Sequence, residues 1–126
     1  MCGPLPWPMR FMPSDREMRR AQGALHDILR HIDLAFELVE GFDEARFLAD
    51  LRTQYAVIRC LEIISEASRR LPDDVKARHP GIAWRNIAGA GNVYRHAYED
   101  ITPPLVWETV HAALAPLRAV ALAEIA

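Results

Sequence analysis

WRNIAGAGNVYRHAY, residues 84–98, gathers aromatic, arginine, asparagine and histidine side chains between two apolar segments, and its reading as a helix decides the rest. At about 100° per residue, Asn92, Arg95, His96 and Glu99 recur at i, i+3, i+4 and i+7 and share one polar face, with Gly91, Tyr94 and Tyr98 on the neighbouring face. A glycine inside a helix costs about 1 kcal/mol against alanine. Gly89 and Gly91 together therefore predict a surface where another backbone approaches closely, at a helix pair or a dimer seam.

Upstream, residues 56–67 read AVIRCLEIISEA, and from 57 to 64 every position is apolar except Arg59 and Glu62. Such a helix is buried nearly all round. Its one polar stripe, Arg59, Glu62, Glu66 and Arg69 or Arg70, has the spacing of a salt-bridged ridge. Ahead of it, Ser14 and Glu17 form a capping box that opens a helix with Leu25, Ile28, Leu29, Ile32, Phe36 and Val39 on one stripe and Gly41 as the C′ residue. The second helical stretch, residues 43–71, carries a break signal near Asp50, and Pro72 stops it before one short turn over 72–79. Downstream, Thr102 caps a last helix with Pro103 at N1 and a stripe of Val106, Trp107, Val110, Leu114, Leu117 and Ala121, kinked by Pro116. No segment alternates with period two, so the expected fold is all-α, an up-down bundle of four long helices and one short one. It occupies residues 14–126 as a single domain behind a flexible leader, residues 1–13, whose Pro4, Pro6, Pro8 and Pro13 exclude a regular helix.

Two of these stretches carry a resemblance. Trp84, Arg85, Ile87, Gly89, Asn92, His96 and Tyr98 match in order and spacing the W-R-x-I-x-G-M-R-N-x-L-x-H-x-Y segment of the HepT-like branch of the HEPN superfamily, and residues 56–67 resemble that family's A-V-x-R-x-L-E-I-I-G-E-A helix. The resemblance covers roughly residues 20–120. It implies an RNase toxin of a toxin-antitoxin pair, a homodimer in which two such helices form one composite cleft, and neutralisation by a nucleotidyltransferase antitoxin that transfers AMP to the tyrosine of H-x-Y, here Tyr98. Glu66 matches a recurring acidic position that could orient His96 or an arginine; the ridge is the preferred reading of it. One position departs: the arginine that opens the family's R-x4-H signature is Gly91 here.

Metal-free RNA cleavage needs a group that takes the proton of a ribose 2′-hydroxyl and a cation that meets charge developing on phosphorus. His96 supplies the first, since an unperturbed imidazole titrates near neutrality. Arg95, directly before it, is the first candidate for the second role and Arg85 a weaker one; Asn92, one turn earlier, could hold the imidazole tautomer or a phosphate oxygen. No metal or other cofactor is called for. Taken without the resemblance, Arg95 and His96 would read as solvent-facing or paired with Glu99, and Tyr98 as a helix-end tyrosine with its hydroxyl in water. The competing functional reading is a catalytically silent module that keeps the dimer and the nucleotidyltransferase partner, and Gly91→Arg is the substitution expected to separate the two.

The whole chain sets bounds on these readings. At 126 residues with a formal charge of −2, it has no global basic field to gather nucleic acid, so any RNA contact is local. Its cations are fourteen arginines and Lys76. Cys2 and Cys60 have neither metal-ligand nor disulfide spacing, His26 and His31 read as solvent-facing on the polar side of the first helix, and no run of 18 apolar residues or signal peptide is seen. The expected location is the cytoplasm, without membrane contact.

Overall fold

A computed structural model describes residues 14–96 and 103–126, with residues 93–96 described by their backbone. Seven helices follow one another: α1 (Asp15–Leu38), α2 (Glu44–Leu48), α3 (Leu51–Arg69), α4 (Asp73–Ala77), α5 (Trp84–His96), α6 (Pro103–Ala112) and α7 (Leu114–Glu124). No strand occurs among the described residues. The all-α bundle expected from periodicity is present, its four legs being α1, α3, α5 and the α6–α7 pair. The leader and Thr102 lie outside the described residues.

Local chemistry sets the boundaries. Ser14 Oγ accepts from the Glu17 amide at 3.1 Å and opens α1. Helix α1 ends at Leu38, capped by Val39, so Gly41 falls two residues past the cap and one beyond the expected C′ position. There it serves a turn closed by Phe42 N to Val39 O at 2.9 Å, whose φ of +77° only glycine adopts without strain. The break near Asp50 divides the next stretch into α2 and α3. Asp50 caps α3 by accepting from the Thr53 amide at 3.0 Å, and that bond holds its carboxyl below the usual range. Gln54, buried in the corner, donates to the carbonyls of Phe47 and Leu48 at 2.9 and 3.1 Å.

Two corrections to the helix count follow. The turn expected after Pro72 is the short helix α4, and the break near Asp50 sets off a further short helix, α2, that the expected count does not include. The kink at Pro116 is a full break: α6 and α7 meet at 42° across Ala113. Pro116 has no N–H for the carbonyl of Ala112, four residues back, and its ring crowds that carbonyl, so the discontinuity falls one turn before the proline.

Helix α3 is the hub. It packs against α1, α5, α2 and α6, while α7 lies along α1. The core joins Leu25, Ile28 and Ile32 of α1 to Val57, Leu61 and Ile64 of α3, with Val106, Val110, Leu114 and Leu117 closing it from the C-terminal pair. Phe47 is fully buried and lies 5.3 Å from the Trp107 ring, centroid to centroid. Cys60 is buried and unbonded, and burial pushes its thiol up, away from the reactive thiolate. His26 is exposed as expected; His31 is half-buried, with Nδ1 2.7 Å from the Asp27 carbonyl. Among the described residues no single helix is long and apolar enough to cross a membrane.

Surface ion pairs fasten the ends of the bundle. Arg70 meets Asp27 at 2.7 Å and Arg118 meets Asp33 at 2.7 Å, tying α3 and α7 to α1. Near the C-terminus Glu124 accepts from Arg78 and lies 2.7 Å from His79 Nε2; these two partners, the arginine foremost, hold its carboxyl at about 2.

Candidate active site on the fifth helix

Helix α5 is positioned at its start by an aromatic donor and along its length by a glycine. Ala83, just before the helix, has no side-chain oxygen with which to cap it. Instead the Trp84 indole N–H is shared between the carbonyls of Lys76 and His79, both at 3.1 Å, which docks the start of α5 on the end of α4. Ile87 and Ala90 are partly buried against the core.

At the next turn α5 meets α3 through Gly91. The Gly91 amide donates to Ser65 Oγ at 2.9 Å, and that hydroxyl donates to the Ala88 carbonyl at 3.1 Å. A Cβ at position 91 would stand 2.6 Å from Ser65 Oγ, 3.0 Å from Ser65 Cβ and 3.1 Å from Arg69 Nη2. The close approach expected of the glycine pair is made at Gly91 alone, and by the side chains of Ser65 and Arg69 instead of a second backbone. Gly89 has open space where its Cβ would be.

The opposite row of α5 faces solvent. Arg85, Gly89 and Asn92 are all exposed, and position 96 continues their row, within about 60° around the helix. Position 95 falls instead in the register of Ala88 and Gly91, the row laid on α3. The side chains of Arg95 and His96 and all of Tyr98 lie outside the described residues. Asn92 therefore stands one turn from position 96 on an exposed face, as the spacing predicted. Arg85 begins the same row about 16 Å away along the axis, too far to share one phosphate with position 96 of the same chain.

Glu66 is exposed and lies 3.4 Å from Arg70 Nε, and Arg59 lies 3.3 Å from the buried Glu62. The polar stripe of α3 is the salt-bridged ridge that its spacing suggested, with Arg70 as the arginine that completes it. Arg69 takes no part in that ridge. It is exposed, and no carboxylate lies within ion-pair distance of it among the described residues. Its guanidinium lies across the seam in the space beside Gly91. By its spacing in the sequence Arg69 is only an alternative member of the ridge. The available signal was the glycine itself, a hollow on the partner helix that a long neighbouring side chain can fill.

Among the described residues no group of three or more histidine, cysteine or carboxylate side chains is arranged to hold a metal ion. A shallow surface groove is lined by Glu44, Pro104, Leu105, Trp107 and Glu108, and its two carboxylates would repel a phosphate.

Comparison with known proteins agrees with the motif reading. The profile of the family described as "Ribonuclease HepT-like" matches residues 28–123. "Probable ribonuclease HepT" of Thermococcus cleftensis is 42% identical over 96 residues, covering 73% of this chain and 87% of its own length. "Putative RNase MJ0125" of Methanocaldococcus jannaschii is 34% identical over 91 residues, covering 72% of this chain and 78% of its own. "Putative RNase TTE0752" of Caldanaerobacter subterraneus subsp. tengcongensis is 31% identical over 93 residues, covering 74% and 83% respectively. No solved structure matches the chain.

Proposed function

The chain belongs to the HepT-like ribonuclease family, and from that premise we propose that it is a metal-independent RNA endonuclease acting as the toxin of a toxin-antitoxin pair. His96 is the base: it takes the proton of a ribose 2′-hydroxyl, the 2′-oxygen bonds to phosphorus, and the bond from phosphorus to the 5′-oxygen breaks. The products are a 2′,3′-cyclic phosphate and a 5′-hydroxyl that gains its proton from solvent or a second imidazole. Asn92 orients the imidazole or holds a phosphate oxygen. Arg95 and Arg85 are the cations that the sequence nominates, Arg85 only if a second subunit brings it to the cleft. The protein works as a homodimer in the cytoplasm. A nucleotidyltransferase antitoxin, using ATP and releasing pyrophosphate, places AMP on the Tyr98 oxygen, where added charge and bulk repel and displace an RNA backbone.

One observation carries the reading: in the segment that matches a ribonuclease family, α5 is fixed on its inner side by Trp84 and Gly91 and leaves the row leading to position 96 open to solvent. Purified, unmodified protein is expected to cut RNA in EDTA and to lose that activity in His96→Ala. Intact RNA after incubation with the wild type would refute the proposal.

The second reading is a module that binds its partner but does not cut, favoured by glycine at the position of the family arginine. Gly91→Arg is a poor arbiter between the two, because any side chain at 91 collides with Ser65. Cleavage by the unmodified wild type decides instead. The partner chemistry is tested by the intact mass of protein co-expressed with the nucleotidyltransferase, where each AMP on Tyr98 adds about 329 Da and an unchanged mass would reject the transfer.

A further inference from the structure

Arg69 is the last residue of α3, where a cation is normally content to lie near the terminal carbonyls of its own helix. Its side chain leans the other way. Side chains on a helix point back toward the N-terminus of that helix, and Arg69 reaches from the α3 end across the seam until Nη2 lies 3.1 Å from the point a Cβ at 91 would occupy. Ser65, one turn before Arg69 on α3, bonds the same stretch of α5 at both Ala88 and Gly91. The guanidinium is therefore held beside α5 in a hollow that exists because residue 91 has no side chain.

That hollow is near the proposed chemistry. The Cα of residue 96 lies about 7.5 Å further along the α5 axis than that of Gly91 and about 140° round it, so a phosphodiester that meets both groups lies across the flank of α5 between the two rows. Arg69 is exposed and, like several other surface arginines, has no acidic partner among the described residues; what sets it apart is its place beside Gly91. Its planar fork suits two phosphate oxygens at once.

We infer that Arg69 is a catalytic residue of this site: carried by α3 into the space beside Gly91, its guanidinium contacts the RNA phosphate at which His96 acts. The inference rests on the nuclease reading above. It gives Gly91 a role, since a side chain there would displace both Ser65 and the arginine.

The test compares full-length wild type, Arg69→Ala, Arg69→Lys and His96→Ala for cleavage of labelled RNA in EDTA, after thermal unfolding has shown that the variants fold like the wild type. Arg69→Ala should slow cleavage by about 100-fold or more, the loss that follows removal of one group stabilising transition-state charge. Arg69→Lys should recover part of the rate, since it keeps the charge and loses the fork. In a His96→Ala background, removing Arg69 should lower the salt dependence of RNA binding by about one counterion. If His96→Ala is inactive while Arg69→Ala cuts within about threefold of wild type, Arg69 is only a surface cation and the nuclease reading survives without it. If the wild type itself cuts nothing, both proposals fall.

Discussion

Helix α3 makes two seams that differ in what fills them. Toward α1 it presents Val57, Leu61 and Ile64 to Leu25, Ile28 and Ile32, all buried aliphatics. Toward α5 it presents Ser65 and Arg69 to Gly91, a contact made of one hydroxyl, two backbone groups and a missing side chain. The first seam removes apolar surface from water and supplies stability. The second adds Ile87 and Ala90, partly buried against the core, and its polar contact sets the distance and register of α5, and so decides what stands beside position 96. One helix thus divides the work of holding the fold and placing the site between its faces.

The aliphatic seam should break most expensively. Ile28→Ala is expected to cost about 2–5 kcal/mol in urea or thermal unfolding. RNA cleavage per folded molecule should change little. A small loss of stability would mean that the α1–α3 seam is not the main hold on the bundle.

The polar seam predicts opposite signs for two glycines in one helix. Glycine to alanine inside a helix ordinarily stabilises by about 0.5–1 kcal/mol, and Gly89→Ala, with open space around it, should do so. Gly91→Ala should instead destabilise by about 1–3 kcal/mol, the usual range for overpacking. A Ser65→Gly background should shrink the penalty, because it removes both Ser65 atoms that the new methyl would meet. Matching signs at 89 and 91 would dissolve the contrast between the two faces of α5.

The smallest effect is expected far from both seams, at Glu124. Arg78 and His79 hold its carboxyl at about 2 against an ordinary 4.5. A carboxyl lowered by folding stabilises fully above its unfolded value and loses that contribution as pH falls toward the folded one. Wild type should therefore lose more stability than Glu124→Gln between about pH 4.5 and 2, and parallel acid-unfolding curves would show that the C-terminal clasp contributes nothing.

Much of the fold was legible because it rests on local chemistry. The Ser14 cap, the break at Asp50, the near-complete burial of α3 over residues 57–64 and the stop at Pro72 each follow from residues close to one another in sequence. The position of the last break was harder to read, since Pro116 acts on a carbonyl four residues away. At the site, the exposed row through Asn92 followed from helical spacing alone. The division of labour between Gly89 and Gly91 did not, because which glycine faces α3 depends on how two helices are rotated against each other. The same rotation separates Arg69 from Arg70: adjacent on α3, one reaches α5 and the other pairs with Asp27 and Glu66.

End-group analysis of RNA cut by the unmodified protein in EDTA tests the central claim most directly, because the chemistry assigned to position 96 leaves a distinctive scar. Attack by the 2′-oxygen predicts fragments ending in 2′,3′-cyclic phosphate and beginning with 5′-hydroxyl, and no fragments from His96→Ala. Cleavage that stops in EDTA, or products beginning with a 5′-phosphate, would contradict the account and move the chemistry away from that histidine.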